Sequence, residues 1–192
     1  VYGKQSVPKV HEQLLPNPDS PYAASKLAAE NYVRTIGQMW NIETVALRIF
    51  NTYGPGQPIP PTYPPVIPQF LRQILGHGSL VVYGNGSQSR DFIYLDDVVE
   101  AIILAATAAG VDREVINIGS GVGTSINRLI EHLENVTGRQ AQIIHNPATA
   151  GGVSTLVADT EKAARLLGFR AKTQLSDGLA RLKTQDPQFL PA

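Results

Sequence analysis

The chain contains no cysteine, so disulfides and thiolate chemistry are excluded and nothing points to an oxidising compartment. Net charge is absent as well. Lys+Arg and Asp+Glu both number 16, with no basic stripe, which argues against nucleic acid as a partner. No apolar run approaches the roughly 20 residues that a membrane helix needs, and no secretory pattern opens the chain. These absences set the expectation of a cytoplasmic protein. His11, His77, His132 and His145 fall in no metal-ligand spacing, so no metal site is expected. Methionine is nearly missing too. Its single occurrence is Met39, and the chain begins Val1-Tyr2-Gly3, which we read as a piece of a longer protein.

What is present is an alternation of strand and helix signals. With 43% apolar residues in 192, a sizeable core is affordable. Residues 1–21 hold four prolines and read as loop. Ser20-Pro21 pairs a capping residue with proline at the first helical position and opens a helix running to Trp40. Thr44–Phe50 reads as one buried strand. Gly54–Pro68 packs seven prolines into fifteen residues, the mark of an ordered loop, lid or hinge. Helices are then predicted at 66–75, 96–109, 125–136, 160–168 and 176–184, and strands at 80–83, 92–95, 115–118 and 142–145. The class is α/β with largely parallel pairing.

The sharpest chemical signal is Tyr22-Ala23-Ala24-Ser25-Lys26, because positions four apart share a helix face. A phenol with an ordinary pKa near 10 is a poor base at neutral pH, and an adjacent ammonium favours the phenolate. Such a pair suits proton transfer at a sugar hydroxyl. The alternative is two exposed side chains that happen to sit four apart.

Further motifs surround that pair. Val1-Tyr2-Gly3 precedes it and Leu27-Ala28-Ala29-Glu30 continues it. Then come Leu47-Arg48-Ile49-Phe50-Asn51-Thr52-Tyr53-Gly54-Pro55, Val66-Ile67-Pro68, Ser89-Arg90-Asp91-Phe92-Ile93-Tyr94-Leu95-Asp96-Asp97-Val98 and Asn117-Ile118-Gly119-Ser120-Gly121. Ala158-Asp159-Thr160-Glu161-Lys162-Ala163 and Leu167-Gly168-Phe169 follow. In this order the series resembles the extended short-chain dehydrogenases/reductases that act on nucleotide-diphosphate sugars, the NAD-dependent epimerases and dehydratases. It is most similar to the UDP-glucose and UDP-N-acetylhexosamine 4-epimerase branch, and the resemblance covers about Val1 to Leu182.

The resemblance implies the C-terminal part of a Rossmann-like NAD-binding fold, residues 1–60 carrying the Tyr-x-x-x-Lys helix, followed by a small mixed α/β substrate domain at 61–192. It implies Tyr22 as catalytic acid and base, and Lys26 as its charge partner and a ribose contact. Phe50 would lie beside the nicotinamide, Asn51 at the substrate, Val66 at the nucleotide through its backbone, Tyr83 on the nucleobase and Arg90 on the diphosphate. The plain alternatives are Phe50 and Tyr83 as core aromatics, Asn51 capping a turn, and Arg90 paired with Asp91. NAD would be the cofactor of the intact enzyme but is not expected to be retained by these residues alone. The reaction implied is 4-epimerisation through a transient 4-keto sugar. A 4,6-dehydratase or decarboxylase, a non-catalytic nucleotide-sugar binding module and a folding or assembly unit remain alternatives. Helix 22–40, with Ile36, Met39 and Trp40, is an expected homodimer face, unless it packs on the chain's own sheet.

The chain departs from the family pattern in two ways. The usual Arg-x-Gly-Asp stretch reads Thr149-Ala150-Gly151-Gly152, which removes one diphosphate-binding arginine. The glycine-rich dinucleotide fingerprint and the catalytic Ser/Thr, which the family carries upstream, are not in this sequence. Gly119-Ser120-Gly121-Val122-Gly123 mimics a phosphate loop but lacks the third glycine at fingerprint spacing and a following Lys-Ser/Thr, so it reads as a tight turn into a helix. Asp96-Asp97 reads as helix capping.

Overall fold

The computed structural model describes residues 1–147 and 153–190. Thr149 and Gly152, and with them the altered diphosphate stretch, lie outside the described residues.

The fold is α/β, and among the described residues every strand pairing is parallel except where β6 meets β4. Helix α1 spans Pro21–Trp40, and the Ser20 hydroxyl caps it by accepting from Ala23 N–H at 3.2 Å. Strand β1 (Val45–Ile49) pairs in parallel with β5 (Glu114–Ile118). Strand β2 (Asn51–Tyr53) pairs in parallel with β4 (Ser89–Tyr94), which also takes β6 (Gly123–Ser125) antiparallel and β8 (Thr155–Leu156) parallel. A third pair joins β3 (Ser79–Tyr83) to β7 (Gln142–Asn146). The remaining helices are α2 (Val66–Leu75), α3 (Leu95–Thr107), α4 (Ile126–Thr137), α5 (Glu161–Leu167) and α6 (Leu175–Gln185).

The strand expected at 44–50 is β1, half-buried rather than buried, and a second strand, β2, follows it at once. Phe50 still bonds to β5, donating its N–H to Ile118 O, and the next residue already pairs with Phe92 of β4. The chain changes sheets at that point. Neither strand flanking Gly84-Asn85-Gly86 pairs with the other, because β3 goes to β7 and β4 to β2.

Two cores result. One gathers Tyr53, Phe70, Leu71, Leu80, Phe92, Tyr94, Leu129, Leu133, Leu179 and Leu182 under α2, α4 and α6. The other gathers Ile93, Val98, Ala101, Ile116, Ile118, Leu167 and Phe169, with Val45 and Leu47 against it. Side chains alternate across a strand, so Phe92 and Tyr94 enter the first core and Ile93 the second. Strand β4 is the wall between them.

Capping by Asp96 and Asp97 does not occur. The residue at the α3 N-cap is Tyr94, and it makes no side-chain cap bond. Asp97, in the first turn, is buried and instead accepts the backbone N–H groups of Lys172 (3.3 Å) and Thr173 (3.0 Å), tying the segment after α5 to α3. Asp96 lies 3.9 Å from Arg181 of α6. The proline-rich segment is an ordered loop fastened at its start, where Gly56 N–H donates to the buried carboxylate of Asp186 at 2.8 Å and the Gln188 amide donates to Gln57 O at 3.1 Å.

Gly37 lets the chain fold back tightly beneath the end of α1. A Cβ built there would meet Thr44 Cγ2 at 2.7 Å and Ile42 O at 2.9 Å. Alanine would gain about 1 kcal/mol of helix propensity. Forcing a methyl against a backbone carbonyl costs about 1–3 kcal/mol, so the clash wins. Gly37→Ala is expected to lower the urea unfolding midpoint, whereas an unchanged or higher midpoint would show that the turn relaxes freely.

Candidate active site

Tyr22 sits in the first turn of α1 and Lys26 one turn on, with the ammonium 5.4 Å from the phenol ring centroid. Both line a cavity of about 680 Å³ between α1 and β1. Its walls include Val33 and Ala29 of α1, the whole of β1, and Phe50, Asn51 and Leu156. Four residues expected at the site, Tyr22, Lys26, Phe50 and Asn51, thus share one cavity. Tyr22 is 72% exposed and lines it.

Asn51 does not cap a turn. Its amide donates to Asp91 O at 3.1 Å and so joins β2 to β4. Phe50 packs with Tyr2, ring centroids 6.4 Å apart. Arg90 is outside the cavity lining, but its cross-strand neighbour Leu156 is within it. Its guanidinium donates to Ser89 O at 2.8 Å and does not pair with Asp91, and no carboxylate lies within ion-pair distance of it among the described residues. Burial lowers its pKa, because a desolvated cation lacking a counter-charge is less stable. Val66, at the start of α2, and Tyr83, half exposed at the end of β3, also lie outside this cavity's lining.

Sequence reasoning missed the polar clamp behind the pair. Arg48 Nε and Nη2 each reach a Glu30 carboxylate oxygen at 2.8 Å, with the two side chains only 8% and 9% exposed. The guanidinium also lies 4.7 Å from the Tyr2 ring centroid, and its buried Nη1 has no partner. Glu30 follows Lys26 by four residues, so the same spacing that flagged Tyr22 and Lys26 extends to it. Removing one partner of such a pair strands a buried charge. The clamp therefore fixes α1, and with it the phenol, against β1.

The glycine loop after β5 holds a carboxylate of the chain itself. Ser120 and Gly121 N–H donate to Asp91 Oδ1 and Oδ2 at 2.8 and 2.9 Å. It is a structural turn, as expected, although Gly123 starts β6 rather than leading straight into a helix.

A profile of the NAD dependent epimerase/dehydratase family matches residues 1–119. The chain belongs to that family. A putative UDP-glucose 4-epimerase of Methanocaldococcus jannaschii is 33% identical over 182 residues, covering 95% of this chain and 58% of the relative. The UDP-glucuronic acid 4-epimerase of Bacillus cereus, solved with UDP-glucuronic acid and NAD, superposes with a TM-score of 0.87 at 34% identity, covering 96% of this chain and 57% of that one. The UDP-N-acetylglucosamine 4-epimerase of Methanobrevibacter ruminantium, solved with UDP-N-acetylmuramic acid, gives a TM-score of 0.90 at 32% identity, covering 96% and 59%. The chain thus spans a little over half the length of the relatives it matches. Its fold is that of these Rossmann-like epimerases, and among the described residues no helix is long and apolar enough to cross a membrane.

Tyr2 and Tyr53 carry a pH signature. Burial raises both phenol pKa values, outweighing the nearby Arg48 charge at Tyr2, and neighbouring Tyr94 and Asp97 add to the rise at Tyr53. The folded state therefore keeps these protons longer than the unfolded chain. The stabilisation is complete below about pH 10, the unfolded value, and is lost as pH climbs through the folded values. Urea midpoints are expected to hold up to about pH 10 and to fall as pH rises above it. Tyr2→Phe with Tyr53→Phe should flatten that fall, and an equally steep fall in the double variant would assign it to other groups.

Proposed function

We propose that these residues form the substrate side of an NAD-dependent nucleotide-sugar 4-epimerase. The observation that carries the reading is the placing of Tyr22, Lys26, Phe50 and Asn51 on one cavity in a chain of this family. Tyr22 Oη takes the proton from the sugar 4-hydroxyl as a phenolate and returns it as a phenol, and the ammonium of Lys26 holds a ribose hydroxyl. Arg90, a desolvated cation awaiting an anion, grips the diphosphate bidentately. Asn51 supports the diphosphate end, Val66 offers backbone contacts to the nucleotide, and Tyr83 stacks on the base.

The residues present fit the nicotinamide end of NAD, with an aromatic wall at Phe50 beside a phenol and an ammonium. Among the described residues they supply no pyrophosphate cradle, since the glycine loop at 119–123 that resembles one is filled by Asp91. When bound, NAD supplies the acceptance and return of hydride at the sugar C4. Phe50, Tyr22 and Lys26 orient that end of the cofactor, and the rest of its binding falls to a dinucleotide-binding lobe. Two observations support this. Strand β1 pairs with β5 alone among the described residues, and the relatives are nearly twice as long.

Helix α1 suits a homodimer face. Tyr32, Ile36, Met39 and Trp40 stay exposed, with Met39 at 74% and Trp40 at 71%, so this face does not pack on the chain's own sheet. Sedimentation should show a dimer that Ile36→Asp dissociates. A wild-type monomer at high concentration would remove the proposal.

Calorimetry with UDP on the 192-residue chain tests the substrate assignment. Binding is expected, with Arg90→Ala weakening it about 10-fold or more, and no heat of binding would defeat the reading. Alone, the chain is expected not to turn over UDP-glucose with NAD, and turnover at a normal rate would disprove the need for a second lobe. With such a lobe supplied in trans, turnover should appear and Tyr22→Phe should cut it by about 100-fold or more. UDP binding with no turnover even then would mark a binding module.

A further inference from the structure

Asp91 is wholly buried, and its carboxylate is enclosed by donors from two distant segments. Oδ1 accepts Ser120 N–H at 2.8 Å and the Ser120 hydroxyl at 2.6 Å. Oδ2 accepts Gly121 N–H at 2.9 Å and Ala158 N–H at 3.1 Å. All four are donors, so both oxygens must be acceptors, which an ionised carboxylate provides and a neutral amide does not. The fit is close. A Cβ added at Gly119 would stand 2.7 Å from both Asp91 Oδ2 and Ala158 Cβ, which accounts for glycine there.

The backbone of the same residue bonds to a residue of the cavity lining. Asp91 O accepts the Asn51 amide at 3.1 Å, and Arg90 precedes it in β4. Strand β8 lies on the same stretch, placing Leu156 opposite Arg90, and Leu156 lines the cavity beside Asn51. Ala158, two residues beyond Leu156, is held by the carboxylate. One residue therefore ties together the three chain segments that bear Asn51, Arg90 and Leu156, reaching the first through its backbone carbonyl and the last through its carboxylate.

We propose that Asp91 is a positioning residue. Its carboxylate locks β4 to the 119–121 turn and to the segment after β8, and so sets where Asn51 and Arg90 are presented to the substrate diphosphate. This rests on the proposed role of those two residues in nucleotide binding. Asp91→Asn keeps the shape but turns an NH2 group towards existing donors, which opens the lock on one side.

The experiment uses the 192-residue chain, with nitrogen-15 NMR of the Asn51 side-chain amide and the Arg90 Nε–H, and UDP as the titrated probe. Asp91→Asn is expected to move both signals and to weaken UDP about 10-fold or more, while circular dichroism retains the wild-type helix content. In an Asn51→Ala, Arg90→Ala background the same change should have no further effect on UDP affinity. Ser120→Ala removes one donor from a partly exposed position and is expected to move the same two signals less, so it decides the matter should Asp91→Asn fail to fold. Signals left in place by the folded Asp91→Asn chain, or by Ser120→Ala if that chain does not fold, would overturn the inference. So would a loss of affinity that persists undiminished in the double-alanine background. Arg90→Ala with wild-type UDP affinity would instead sink the nucleotide-binding role of Arg90, while the NMR signals would still judge the lock.

Discussion

A single strand, β4, holds this molecule together. Its alternating side chains feed two cores, its edges take β2, β6 and β8, and its buried carboxylate, Asp91, gathers the loops around it. A buried carboxylate is costly unless every lone pair is used, and at Asp91 the bonds are made. Burying two hydrophobic layers on opposite faces of one strand also leaves no freedom of register, because a slip of one residue would exchange Ile93 for Phe92 or Tyr94. That rigidity is what a site assembled from separate segments requires.

Helix α1 is held differently. It buries only Ala23 and Gly37, so little apolar packing secures it. Its seat is polar, through the Arg48–Glu30 pair and the stack of Arg48 on Tyr2, whose hydroxyl donates to Asn117 of β5 at 2.6 Å. Asn117 is fixed in turn by Glu12, which accepts its backbone N–H at 2.8 Å, and by Val10 O, which accepts its amide at 2.9 Å. The chain before α1 thereby reaches the outer side of β5. Hydrogen bonds carry direction as well as energy, and a helix seated this way has its rotation set. Rotation decides whether the Tyr22 phenol faces the cavity.

Local chemistry was the legible part of the sequence. Ser20-Pro21 starts α1, while Ser125 and Gly138 bound α4, because caps and left-handed termini are decided by the residues that form them. The shared cavity of Tyr22, Lys26, Phe50 and Asn51 followed from motif order. What stayed hidden depends on partners far along the chain. The break at Phe50 exists only because β5 and β4 compete for adjacent residues. Asp97 looked like a cap until Lys172 and Thr173, some 75 residues away, supplied its donors. The short strands β6 and β8 form against β4 and have no sequence pattern of their own.

The position of the single tryptophan has a practical consequence. Trp40 ends α1 and stands in water, with no second indole to obscure it. Indole emission shifts to shorter wavelength when the ring leaves water, so the wavelength of this one fluorophore reports whether the exposed face of α1 is covered. The chain carries an optical gauge of whether that face is covered, readable at dilutions where weighing methods fail.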